Sequence, residues 1–188
     1  MTAVPSADNR KTVAISLDLE GSRFVAVGGH RGHEIPINAP KAEGEPRRPT
    51  GFSATELLLA GAGSCAAWDV VEILRKRRQE LLGLEVTVVG RQAPDPPWQY
   101  ERITLHFRVH GEALRPSVIE RVIRLSCVRY CSVLATLKGV ARIDATLEIV
   151  DGTGESSGRR AVSLAIEPAE PLEAEIEAAV APTVDEAD

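Results

Sequence analysis

Three cysteines, Cys65, Cys127 and Cys131, are the residues of this 188-residue chain best suited to chemistry. They are too few for a disulfide scaffold, so their candidate roles are thiolate chemistry or metal binding. A metal needs three or four convergent ligands. Neither His30 and His33 in a loop nor His106 and His110 on a strand stands at a recognised ligand spacing, so no metal is expected. Thiolate chemistry remains. It needs one accessible thiol of lowered pKa and, for a reversible redox cycle, a second cysteine that can reach it.

Cys65 lies in the helical segment ATELLLAGAGSCAAWDVVEILRK. If Gly61 and Gly63 interrupt that helix, Ser64 caps a new one and Cys65 falls in its first turn, where free backbone N–H groups favour a thiolate. Asp69, one turn later, opposes this by like-charge repulsion, so an activating cation has to come from elsewhere, for instance the Arg-rich loop upstream. Ala67, Val70, Val71 and Leu74 mark a buried stripe, while Cys65 shares another face with Asp69, Glu72 and Lys76. A lone cysteine on an apolar helix also has a structural reading, as a small hydrophobe, and both readings stand at this point. In LSCVRYCSVLATL, Cys127 and Cys131 are four residues apart; on a continuous helix they share a face without being placed for a mutual disulfide.

The elements that must position these thiols follow from periodicity. Val13, Ile15, Leu17 and Leu19 alternate with polar or small residues, and Gly21-Ser22 leads into a second run over 23–27, a hairpin signal. Residues 28–52 read as a long loop with a short strand near 34–37. The helical pattern over 54–82 ends at Gly83, placed as a left-handed cap, with Arg75-Lys76-Arg77-Arg78 complementing the negative end of the helix dipole. Strands follow at 84–88 and 103–109, then a helix opening at Pro116 and running to about Lys138-Gly139 with a break near Tyr130, and a last strand over 143–149. This order predicts an α+β fold with antiparallel sheet, one domain over 1–150, and a C-terminal extension over 151–188.

Composition narrows the class. Apolar residues at 44% and charged residues at 26% are those of a globular protein. The longest uncharged stretch, residues 57–68, is twelve residues and too short to span a bilayer. No secretory signal opens the chain, so a cytoplasmic location without membrane attachment is expected. The net charge of −5 comes from the tail: residues 167–188 hold eight acids and no Lys or Arg, leaving 22 − 19 = +3 on residues 1–166. A body so close to neutral lacks the footprint of a nucleic-acid binder, and the tail reads as a solubilising extension.

SATELLLAGAGSCAAWDVVEILRKRRQ, followed 66 residues after its cysteine by YCSV, resembles the OsmC/Ohr family of thiol-dependent peroxidases, in the branch with a Tyr-Cys-Ser-Val second-cysteine motif. The likeness in element order covers roughly residues 12–150. It implies an intertwined homodimer with antiparallel sheets wrapped around central helices and active sites at the subunit interface. Cys65 matches the peroxidatic cysteine and Cys131 the resolving one. The first attacks an organic hydroperoxide and becomes a sulfenic acid, the two condense to a disulfide, and a dithiol reductant, lipoyl- or thioredoxin-like, restores them without metal or flavin. Cys127 matches no motif position and reads as a small buried residue.

Glu56 matches the family's glutamate, which pairs with an arginine that activates the thiolate. The arginine segment has no clean counterpart here; Arg31 in GGHRG ranks first, ahead of Arg23 and the Arg47-Arg48 pair. On an unbroken helix Glu56 stands about 13 Å in rise from Cys65, so a direct role requires the glycine break or a second subunit; otherwise Glu56 serves the helix start. Ala54 replaces the usual proline of the Ser-Pro-Thr-Glu word. Trp68 is the candidate substrate-pocket residue, with plain packing as its other reading. The expected function is peroxide reduction in oxidative-stress defence. The alternative is a protein of the same fold that binds a hydrophobic ligand or senses redox state with little turnover.

Overall fold

The computed structural model describes residues 11–18, 20, 23–28, 32–38, 50–152 and 154–164. Arg31, Arg47, Arg48 and the acidic tail from 167 lie outside the described residues. The chain divides into two compact units, Met1–Gly61 and Ala62–Asp188, with helix α1 (Ala54–Lys76) running through the boundary.

In the first unit, β1 (Val13–Asp18), β2 (Arg23–Gly28) and β3 (His33–Asn38) form an antiparallel meander. The predicted hairpin is in register from Val13 opposite Gly28 to Asp18 opposite Arg23, where Arg23 Nε meets Asp18 Oδ2 at 3.1 Å. The short strand expected near 34–37 extends to six residues and anchors the chain before α1. Asn38 Oδ1 accepts from Thr50 N at 2.7 Å and Gly51 N at 2.9 Å, and Asn38 N donates to the Phe52 carbonyl. Gly51 is required there because a Cβ would collide with the Pro36 carbonyl.

The second unit is built on a sheet of order β4 (Glu80–Gln92), β5 (Tyr100–Glu112), β6 (Arg142–Val150), β7 (Arg160–Val162). Along β5, Ile103, Leu105, Phe107 and Val109 are buried and alternate with charged and polar residues, as a strand with one covered face requires. The pairs β4–β5 and β6–β7 are antiparallel, in keeping with the α+β class; β5–β6 is parallel, which the periodicity did not indicate. A parallel pair needs a long crossover, and here residues 113–141 supply it, carrying both later cysteines. Strand β7 falls within the segment expected to be extension.

Two local expectations are corrected. First, α1 is continuous through Gly61 and Gly63. Gly63 serves close approach: a Cβ would stand 2.7 Å from Val88 Cγ2 of β4, while one on Gly61 would meet nothing within 4 Å. Second, the left-handed residue after α1 is Arg78, at φ 53°, and Gly83 lies inside β4. The Gln79 N–H reaches back to the Leu74 carbonyl at 3.1 Å, closing the helix end without glycine. Helix α1 is long and apolar enough to cross a bilayer by length and composition only, a test that the core helix of a soluble protein also passes.

Candidate active site

Cys65 occupies the middle of α1, not a first turn, so its own helix offers it no free N–H groups. Those groups come from the crossover. Helix α2 (Pro116–Leu125) starts with proline in its first turn and buries Ile119, Val122 and Ile123. It then widens into a π-turn over Ser126–Tyr130, closed by Cys131 N donating to the Ser126 carbonyl at 2.9 Å. Such turns leave the regular ladder and redirect the chain. Cys131 emerges extended, at φ −66° and ψ 105°, and becomes the N-cap of the short helix α3 (Ser132–Leu137), its Sγ accepting from Leu134 N at 3.4 Å. The break expected near Tyr130 is therefore real, and Cys127 and Cys131 do not share one helix face.

Ser126 fastens this turn to α1. Its side chain is wholly buried, and its Oγ donates to the Ala66 carbonyl at 2.9 Å and reaches Asp69 Oδ2 at 3.5 Å. Cys131 Sγ faces the Ala62 carbonyl at 3.9 Å. Cys65 lies between these attachment points, half-buried, with Ser132 Oγ 3.9 Å from its sulfur.

The electrostatics of the two thiols diverge. Burial works against a Cys65 thiolate, but the Cys131 thiol, the Val133 and Ser132 N–H groups and the Ser132 hydroxyl all hydrogen-bond to it, and together they hold its pKa below the ordinary thiol value. Cys131 is pushed up to about 12, first by burial and then by its hydrogen bond to Cys65 and the charge there. The two thiols are thus pushed apart, Cys65 downward and Cys131 upward, so Cys65 is the one of the pair that gives up its proton first.

Asp69 does not act as expected. It engages Ser126 and is itself held above the usual carboxylate range by burial, partly offset by that bond; the thiol it disfavours is Cys127, not Cys65. Cys127 is pushed up to about 12, by burial and then by the charges of Cys131 and Asp69. It lines a small cavity of about 120 Å³ with Val128, Leu134, Lys138 and Ile143.

The remaining candidates are placed as follows. Glu56 closes a capping box at the start of α1: its Oε2 accepts from Ser53 N at 2.7 Å and Ser53 Oγ at 2.8 Å, while Glu56 N donates to Ser53 Oγ at 3.2 Å. Eight helical residues lie between it and Cys65 on the unbroken α1. Trp68 is 71% exposed, so it is not packed within its own chain. Ser126 and Ser132 were not singled out from the sequence; only the position of Ser132 beside Cys131 in the YCSV word was a clue to it. Among the described residues no group of three or more His, Cys, Asp or Glu is arranged to hold a metal ion.

The chain that carries these two cysteines is similar to known proteins. The model of the family described as OsmC-like protein matches residues 44–146, more than half of the chain. The chain belongs to the OsmC-like family. This OsmC-like chain is 33% identical over 132 residues to Protein YhfA of Escherichia coli K12, covering 70% of this chain and 93% of YhfA. Among solved structures, a hypothetical protein from Aquifex aeolicus aligns with TM-score 0.65 at 28% identity, covering 76% of this chain and 98% of that one. A Legionella pneumophila structure described as an organic hydroperoxide resistance protein OsmC shares the fold at TM-score 0.54 and 10% identity, covering 76% and 98%. The OsmC-like match spans the end of the first unit and most of the second, including both cysteines of the site.

Proposed function

We propose that this OsmC-like chain is a thiol-dependent peroxidase that reduces organic hydroperoxides. The observation that supports the reading is the opposite shift of two neighbouring thiols, Cys65 lowered in part by its hydrogen bond with Cys131 and Cys131 raised, which suits a nucleophile and its resolving partner. The Cys65 sulfur attacks the terminal peroxide oxygen; the O–O bond breaks, the alcohol leaves, and Cys65 becomes a sulfenic acid. Cys131 then forms the disulfide with loss of water, and a dithiol, lipoyl- or thioredoxin-like, reduces it. Attack by Cys131 is assisted once Cys65 is no longer anionic, since one cause of its raised pKa is then gone.

The proposal includes a homodimer in the cytoplasm, with the exposed Trp68 of one protomer lining an apolar pocket completed by the second. It also includes the Arg31–Glu56 pair as the activating couple that family resemblance assigns to the thiolate. A hydroperoxide resistance name on a relative of the same fold supports the substrate class.

The test is the rate of Cys65 sulfenic acid and Cys65–Cys131 disulfide formation with cumene hydroperoxide against hydrogen peroxide, followed by intact mass and peptide mapping. Fast oxidation that prefers the organic peroxide is expected. Slow, indiscriminate oxidation would sink the reading in favour of the ligand-binding or redox-sensing alternative. One observation favours that alternative: among the described residues, every group lowering the Cys65 pKa is a neutral donor, and none is a cation.

A further inference from the structure

Ser132 stands apart from the other groups around the Cys65 sulfur. Cys131 is 1% exposed and caps α3 from beneath, whereas Ser132 is exposed and its hydroxyl lies 3.9 Å from Cys65 Sγ. The half-buried sulfur thus has a buried thiol and an exposed serine among its hydrogen-bond partners. A peroxide that reaches the sulfur from solvent therefore meets the exposed Ser132 before the buried Cys131. Ser132's own backbone is held in place, because its carbonyl accepts from Thr136 Oγ1 at 2.8 Å and Cys131, the residue before it, is tied to the π-turn. The hydroxyl hydrogen turns freely about its C–O bond, so a single donor can serve two acceptors in succession.

We propose that Ser132 is a catalytic residue: its hydroxyl donates to the resting Cys65 sulfur and then to the oxygen that leaves when the peroxide bond is cleaved. The inference rests on the peroxidase reading for its second half only. In the step, a sulfur lone pair forms the S–O bond with the terminal oxygen and the O–O electron pair departs on the inner oxygen. That oxygen takes a proton from water, while the terminal oxygen keeps its own as the sulfenic acid. Sulfur is oxidised and the peroxide reduced. Negative charge moves over a few ångströms from sulfur to the departing oxygen, and a donor able to track it stabilises the transition state more than the ground state. At 3.9 Å the contact with sulfur is long, and it leaves room for that shift.

The experiment compares wild type, Ser132→Ala and Ser132→Thr in the full chain, with folding checked by thermal melting. Two reactions of Cys65 are followed by peptide mapping across pH: alkylation by iodoacetamide, and sulfenic acid formation with cumene hydroperoxide. In Ser132→Ala the alkylation midpoint is expected to move up, lowering the rate roughly threefold on the acid side, as loss of one modest hydrogen bond to an anion implies. Above the midpoint, where Cys65 is fully ionised, alkylation is expected to recover while the peroxide reaction stays about tenfold slow, the size of a lost transition-state donor at the weak end. Ser132→Thr is expected to restore both. Unchanged alkylation and peroxide profiles in Ser132→Ala would overturn the proposal. If wild-type Cys65 reacts no faster with peroxide than an ordinary thiol, the peroxidase reading fails by itself, and the alkylation midpoint decides whether Ser132 donates to the sulfur.

Discussion

Ser126 Oγ donates to the Ala66 carbonyl at 2.9 Å, tying the first residue of the π-turn to the neighbour of Cys65 in α1. The second cysteine is delivered by this attachment, because the same turn ends at Cys131. Replacing Ser126 with Ala removes a fully buried hydrogen bond, and a loss of about 1–2 kcal/mol in chemical denaturation is expected. Sulfenic acid formation on Cys65 should be little changed, while disulfide closure slows. Equal slowing of both steps would show that Ser126 does not set the approach of Cys131.

Cys131→Ala removes the thiol donor to Cys65. Because that donor lowers the Cys65 pKa, the midpoint of the alkylation profile of Cys65 is expected to shift upward from its depressed position towards the ordinary thiol value. With no resolving partner, the sulfenic acid should persist and be trapped by dimedone. An unshifted midpoint would mean that the two sulfurs do not interact in solution.

Alkaline stability provides an independent check on the buried thiols. Cys127 and Cys131 are raised from 9.0 to about 12 in the folded chain, so the unfolded chain gives up these protons first. Their contribution is complete below about pH 9 and is lost as pH rises towards 12. Stability measured in urea should therefore fall over this range, and Cys127→Ala should make the fall shallower. A slope identical to wild type would contradict the burial of Cys127.

Gly63 and Gly61 should separate cleanly under substitution. A Cβ on Gly63 would press on Val88 Cγ2, so Gly63→Ala is expected to cost about 1–3 kcal/mol despite the better helix propensity of alanine. Gly61→Ala meets no such neighbour and is expected to stabilise by up to about 1 kcal/mol. Thermal melts of the two variants should move in opposite directions.

Glu56 tests capping against chemistry. Glu56→Ala opens the capping box and should destabilise the chain by about 1 kcal/mol, whereas Glu56→Gln can still accept from Ser53 and should melt close to wild type. If Glu56 belongs to the thiolate-activating couple, Glu56→Gln slows peroxide reduction at unchanged stability; unchanged turnover would confine Glu56 to the helix cap.

Much of this was legible in the residues. Alternation named the strands at β1, β2, β5 and β6, Pro116 marked the start of α2, and the two cysteine words pointed to the OsmC-like family that the family match then established. Local pattern carries such information because side-chain period and backbone preference are properties of a few neighbouring residues. The same local rules misjudged Gly61, Gly63 and Gly83. Their permissiveness suggests a helix break and a cap, but at Gly63 a Cβ would press on Val88, a residue of another element. The activation of Cys65 was likewise hidden. The donors that lower its pKa come from Cys131, Ser132 and Val133, more than sixty residues away in the chain. Sequence determined which thiols were available. Only the tertiary structure decided which has its pKa lowered and which raised, because hydrogen bonding and burial depend on which elements meet, and the crossover between the parallel strands that carries Cys131 is a non-local choice.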